Sequence, residues 1–302
     1  MHDSRMTEQR NPRSENLDRL DAQGLVDLIN REDREVAPAV ARERERIARA
    51  VELVAGAFRS GGRLLYVGAG TSGRLGVLDA SEMPPTFRTP PKQVQGVIAG
   101  GYDALVQARE GAEDEADAGA EAMDDRQVGP HDFVLGIATS GTTPYVHGAL
   151  DRARNRGART GFLLCTEPDA ELEARHDVVI APRVGPEVVT GSTRMKAGTA
   201  TKLVLNTLST AAMVLTGKVH GNLMVDLRVN SRKLRDRGER ILMEAVGVDR
   251  KEAASLLEAG GGHVKVALVM GLCSVDRHRA QELLDAGGGR VAGALEAAGA
   301  VP

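Results

Sequence analysis

The sequence predicts an α/β protein, a parallel-sheet three-layer α/β/α sandwich with a small C-terminal helical subdomain. Three observations carry this expectation. Strand-like and helix-like stretches alternate from Arg63 to Ala181, the strand-like runs are apolar throughout, and two of them pass directly into glycine- and hydroxyl-rich loops that open helices. Continuously apolar strands joined by helices mark a parallel sheet buried on both faces.

Met1 to about Asp18 is polar and offers little to bury, so residues 1–18 are expected to be flexible or loosely docked. Apolar residues then recur at helical spacing over Ala22–Asn30 and Val36–Phe58, for example at Ile47, Val51, Val54 and Phe58, and Gly61-Gly62 stops the second helix. Strands are expected at Arg63–Val67, Val94–Ile98, Asp132–Ala138, Thr160–Cys165 and Asp177–Ala181. Helices are expected between them at Ser72–Ala80, Ala104–Met123, Pro144–Gly157 and Glu171–Arg175. A long helix over Ala197–Leu215 is apolar around most of its girth, which suits the centre of a fold or of a dimer. From Glu239 onward three short helices are read, broken at Gly260-Gly261-Gly262 and Gly287-Gly288-Gly289. The domains are therefore placed at 19–235 for the sheet-containing catalytic domain and 236–302 for the helical subdomain.

Composition excludes several function classes. Of 302 residues, 42% are hydrophobic and 27% charged, an ordinary soluble balance. The net charge of −3 gives no basic field for nucleic acid or anionic membrane, and 2% aromatic residues with no Trp leave no platform for stacking bases. No apolar run approaches the ~18 residues of a membrane span, and the polar start carries no signal-peptide core, so the expected compartment is the cytoplasm. Cys165 and Cys273 form no CxxC pair and are read as buried thiols. The histidines show no HxxxH spacing, so neither a metal nor another cofactor is expected, and His220 reads as structural.

The chemistry-bearing stretches are the loops. Gly68-Ala69-Gly70-Thr71-Ser72-Gly73 follows a strand and opens a helix, where free backbone N–H groups and hydroxyls stabilise an anion. It matches the dinucleotide fingerprint literally, but the second strand ends in Ile98-Ala99-Gly100-Gly101 and lacks the ribose-binding acid. A second loop, Ala138-Thr139-Ser140-Gly141-Thr142-Thr143-Pro144, concentrates hydroxyls with no P-loop lysine, which suits a phosphomonoester on a small molecule. The alternative is that Ser140, Thr142 and Thr143 only cap a helix. Glu82, ahead of Met83-Pro84-Pro85, is read at a helix C-terminus, where the macrodipole opposes a carboxylate and would raise its pKa, as a general acid requires. Glu113 lies in an acidic run that composition reads as a solvated helix face. Ser192, Arg194 and Lys196 lie in a loop entering the long helix, where cations oppose the dipole unless they share a bound anion.

Together, Gly68 through Glu82 with Pro84-Pro85, Glu110-Gly111-Ala112-Glu113-Asp114, and Val188-Val189-Thr190-Gly191-Ser192-Thr193-Arg194-Met195-Lys196-Ala197-Gly198-Thr199 resemble the N-acetylmuramic acid 6-phosphate etherases. Gly217-Lys218 with Gly221 to Asp226 extends the likeness, which runs from about Leu17 into the C-terminal helices with no departure at the motif positions. The resemblance implies the sugar isomerase (SIS) fold and cleavage of the lactyl ether of N-acetylmuramic acid 6-phosphate to N-acetylglucosamine 6-phosphate and D-lactate in cell-wall recycling. It also implies a homodimer with sites near the interface. Glu82 would correspond to the acid that protonates the leaving ether oxygen, and Glu113 to the second catalytic carboxylate.

Two carboxylates suffice for such chemistry without a metal. In the open-chain aldehyde the C1 carbonyl acidifies the C2 proton, so a base can eliminate lactate from C3 if an acid protonates the ether oxygen; water then adds at C3. Loop chemistry assigns the phosphate to Ser140, Thr142 and Thr143, with Thr71 and Ser72 facing the sugar or sharing it. Two other readings use the same loops: a non-catalytic phosphosugar sensor, which could dispense with the carboxylates, and an aldose-ketose isomerase, which would release no lactate.

Overall fold

A computed structural model describes residues 6–300. Helices α1 (Ala22–Asp33), α2 (Val36–Arg42) and α3 (Arg44–Arg59) precede the sheet. The helix read as continuous from Val36 breaks at Glu43, whose side chain turns inward to accept the N–H of Ala181 at 3.0 Å. The sheet follows as β1 (Leu64–Gly68), α4 (Gly70–Phe87), β2 (Val94–Ile98), α5 (Ala116–Asp125), β3 (Phe133–Ile137), α6 (Pro144–Asn155), β4 (Arg159–Leu163), α7 (Ala170–Arg175) and β5 (Val178–Ile180). All strands are parallel in the order β2-β1-β3-β4-β5.

Strand alternation sorts the core into layers. Leu65 and Val67 of β1, Val134 of β3, and Phe162 and Leu164 at β4 pack with Met123 of α5 and with Tyr145, Val146 and Leu150 of α6. Helices α5 and α6 approach closely because Gly119 and Gly148 carry no side chain; a Cβ on either would lie 2.0 Å from a carbonyl oxygen of the other helix segment. On the opposite face Tyr66 donates a 2.8 Å hydrogen bond to buried Asp79 of α4, which also accepts from Ser209 of α8 (Lys196–Leu215) at 3.1 Å. Burial pushes the Asp79 carboxyl up to about 6, against these hydrogen bonds and nearby Lys202. Cys165 is buried and its thiol is pushed up to about 12, chiefly by burial, whereas Cys273 is only half-buried.

Three local expectations change. Helix α4 does not stop before the prolines but runs to Phe87 with Pro84 and Pro85 inside it, so Glu82 is not at a helix C-terminus. The macrodipole argument for this carboxylate therefore falls. The expected helix Ala104–Met123 is interrupted: Gly111 takes φ +77°, a single 3₁₀ turn spans Ala112–Asp114, and α5 begins only at Ala116. Residues 6–18 dock instead of dangling, with Thr7 and Asn11 buried, because Asn11 has a buried acid to satisfy; Met1–Arg5 lie outside the described residues.

The chain separates into two compact units. One holds the described residues through Met83 together with Pro90–Thr210, and the other Pro84–Thr89 with the described residues from Ala211 onward. The second unit is larger than the 236–302 read from sequence. It contains the hairpin β6 (Val219–His220) and β7 (Leu223–Met224), then α9 (Arg232–Val246), α10 (Arg250–Ala259), α11 (Val264–Cys273), α12 (Arg277–Ala286) and α13 (Val291–Ala297). There are five helices rather than three because Ser231, Asp249 and Asp276 each accept a backbone N–H at a helix start. The apolar α11 forms the middle of this core, packed with Leu242, Leu257, Leu283 and Val291.

Candidate active site

In a 2-1-3-4-5 sheet the connections leaving β1 and β3 run to opposite faces, and ligands bind in the crevice this opens beyond the strand ends. A cavity of about 530 Å³ lies there, lined by Ala69, Gly70, Thr71 and Ser72 after β1 and by Ile137 to Ser140 and Thr142 to Pro144 after β3. Glu8, Glu113, Asp114, Gly191 and Thr193 complete the lining.

Both hydroxyl loops open helices. Gly73 lets α4 start directly against the sheet: a Cβ there would come within 2.6 Å of Ile98 Cγ1 and 2.7 Å of the Gly68 carbonyl oxygen. On the second loop Gly141 takes φ +80° and its carbonyl is held by His147 Nε2 at 2.8 Å, while the Ser140 and Thr142 hydroxyls lie 3.1 Å apart. Thr143 occupies the N-cap of α6 but makes no side-chain capping bond. Its hydroxyl is therefore not committed to capping.

Among the described residues no lysine or arginine lines the cavity, whereas three carboxylates do. An anion here must be held by backbone N–H groups, hydroxyls and the positive ends of α4 and α6. The loop into α8 explains where one expected cation went. Lys196 is fully buried, with its Nζ 2.8 Å from Glu32 Oε2 of α1, and it does not line the cavity. Beside it the buried Glu187 carboxylate accepts the N–H groups of Lys196 and Ala197 at 3.0 and 2.9 Å. The cation that seemed to oppose the α8 dipole is thus offset by two buried acids, without a bound anion.

A family model described as the glucokinase regulatory protein N-terminal SIS domain matches residues 46–154. The N-acetylmuramic acid 6-phosphate etherase of Gloeobacter violaceus is 58% identical over 265 residues, covering 88% of this chain and 86% of that protein. Its counterpart from Synechocystis sp. is 54% identical over 265 residues, covering 88% and 87%. The chain belongs to the N-acetylmuramic acid 6-phosphate etherase family. Among solved structures, a phosphoheptose isomerase from Neisseria gonorrhoeae is similar at 18% identity and a TM-score of 0.46, covering 63% of this chain and 97% of that one.

In this member of the etherase family, Thr71, Ser72, Ser140, Thr142, Thr143 and Glu113 share one cavity. Gly111 carries much of that outcome, since the left-handed turn there ends any helix and sets Glu113 on a short turn facing the loops. Ser192 and Arg194 do not line the cavity, although their neighbours Gly191 and Thr193 do. Glu82 is exposed on α4 and is not in the lining; ten residues past Ser72, it lies about 15 Å further along the helix. Of the two carboxylates that the etherase resemblance singles out, Glu113 lines this cavity and Glu82 does not. Sequence reasoning missed Glu8, whose polar segment gave only one signal, the Asn11-Pro12 turn dipeptide.

Proposed function

We propose that this chain cleaves the D-lactyl ether of N-acetylmuramic acid 6-phosphate, yielding N-acetylglucosamine 6-phosphate and D-lactate in peptidoglycan recycling. The observation that carries the reading is Glu113 in the same cavity as two helix-opening hydroxyl loops, in a member of the etherase family. Glu113 takes the C2 proton of the open-chain aldehyde. Glu82 gives a proton to the C3 ether oxygen, lactate departs, and the α,β-unsaturated aldehyde adds water at C3 and a proton at C2. In this reading the 6-phosphate sits on Ser140, Thr142 and Thr143, with Thr71 and Ser72 sharing it, and Ser192 and Arg194 serve the outer parts of the substrate. The compartment is the cytoplasm, where charge retains sugar phosphates.

Glu82 reaches the reaction from a second subunit of a homodimer. Arg74, Leu78 and Glu82 follow one another at i, i+4 and i+8 on α4, and Leu78 is 53% exposed. Arg74 holds the carbonyls of Ala104 and Leu105, next to Tyr102 and Val106, which are 82% and 81% exposed. Exposed apolar side chains beside an acid that lies outside the hydroxyl-lined cavity are what a subunit interface would cover.

Lactate release by the purified protein in deuterated, oxygen-18 water tests the reaction. Lactate is expected together with a sugar carrying deuterium at C2 and heavy oxygen at C3; binding without release would overturn the reading in favour of a sensor. For the phosphate site, a Ser140→Ala, Thr142→Ala double variant is expected to raise KM at least about tenfold, since each lost hydrogen bond is to a charged group. An unchanged KM would remove these hydroxyls from the phosphate site.

A further inference from the structure

One wall of the cavity comes from outside the sheet. The N-terminal segment is held by polar anchors: the Met6 N–H donates to Thr166 Oγ1 in the loop after β4 at 3.3 Å, and the Ser14 hydroxyl donates to the Val188 carbonyl of the 186–193 loop at 2.8 Å. Between them the buried Asn11 amide donates to Glu32 Oε2 at 2.8 Å and to the Pro186 carbonyl at 3.2 Å. Thr7 is fully buried. These contacts leave Glu8 no choice of side.

Glu8 is half-buried in the cavity lining, and its Oε1 lies 3.4 Å from the Thr7 hydroxyl. Its other oxygen passes Gly191, where a Cβ would lie only 3.3 Å away and where φ is +74°. The loop therefore takes a conformation suited to glycine at the point where the carboxylate crosses it. Among the described residues no lysine or arginine forms an ion pair with Glu8, and its side chain lines the cavity.

We infer that Glu8 is a substrate-contacting specificity residue, its carboxylate accepting hydrogen bonds from the hydroxyl and acetamido N–H donors of an acyclic amino-sugar chain. This rests on the phosphosugar reading above. A carboxylate cannot serve the phosphate, which it repels, but it has acceptor sites enough for two neighbouring hydroxyls. The cavity then offers helix N-termini and hydroxyls for the anion together with the Glu8 carboxylate for the sugar donors. An acyclic sugar phosphate presents both kinds of group in one molecule.

The test is steady-state kinetics of full-length Glu8→Ala and Glu8→Gln with N-acetylmuramic acid 6-phosphate, together with inorganic phosphate as a competitive inhibitor. In Glu8→Ala, KM is expected to rise about tenfold or more, with a smaller change in kcat. Glu8→Gln, which keeps one acceptor oxygen, should fall between, and the inhibition constant of phosphate should stay the same or tighten. An unchanged KM in Glu8→Ala overturns the inference. So does tighter binding of both substrate and phosphate, which would make Glu8 a plug in the anion site, or a collapse of kcat at constant KM, which would make it an acid or base. If the wild-type protein releases no lactate but still binds inorganic phosphate in a direct calorimetric titration, the etherase reading fails instead.

Discussion

Replacing Glu113 by glutamine is expected to lower lactate release by roughly 10² to 10⁴-fold while leaving KM within a few-fold, the range that a positioned base contributes. Glutamine preserves the volume and one acceptor oxygen but cannot take the C2 proton. Glu113 is exposed at the cavity and, among the described residues, makes no side-chain hydrogen bond or ion pair that glutamine would break, so the loss should appear in kcat and not in the thermal midpoint. Exchange of the C2 proton of N-acetylglucosamine 6-phosphate with solvent deuterium gives an independent measure, because that step needs the base but no leaving lactate. A Glu113→Gln variant that still exchanges at the wild-type rate would remove Glu113 from the reaction.

Glu82→Gln should show a comparable fall in lactate release and a smaller effect on exchange, which separates acid from base. Its place on α4, outside the cavity of its own chain, adds a sharper consequence. If the acid arrives from a partner subunit, mixing inactive Glu82→Gln and Glu113→Gln chains restores one complete site in each mixed dimer. Random pairing makes half the dimers mixed, so about a quarter of wild-type activity should return. No recovery after verified subunit exchange would mean that both acids act from one chain, and α4 would have to move to bring them together.

The sheet was legible because continuous apolar strands leave few alternatives, and each strand was found to within a few residues. The hydroxyl loops were legible for the same reason, since a strand end fixes where a loop begins. Glu113 was not, because an acidic run looks the same on a solvated helix face as on a turn, and only Gly111 distinguishes them. Lys196 misled because a cation at a helix start implies a nearby anion, and the sequence does not say whether that anion is a ligand or Glu32, 164 residues earlier. Glu8 was hidden by its composition, since what docks residues 6–14 is polar anchoring to a buried charge and not an apolar face.

Lys196 separates a binding role from a structural one most plainly, and Lys196→Met is expected to destabilise the protein by about 3–5 kcal/mol, the usual consequence of removing one partner of a buried ion pair. The thermal midpoint should fall by on the order of 10 °C. Glu32 would keep Asn11 and the solvent-facing Arg13 but lose its fully buried cation. Burial alone would push the Glu32 carboxyl up, yet hydrogen bonds from Lys196, Arg13 and Asn11 outweigh it and hold it down at about 2 against an ordinary 4.5. The unfolded chain therefore binds this proton more readily, so the stabilisation is complete above pH 4.5 and is lost as pH falls toward about 2. The stability gap between wild type and Glu32→Gln should accordingly be flat at neutral pH and close across that acid window. A Lys196→Met protein of unchanged midpoint but raised KM would return Lys196 to the substrate.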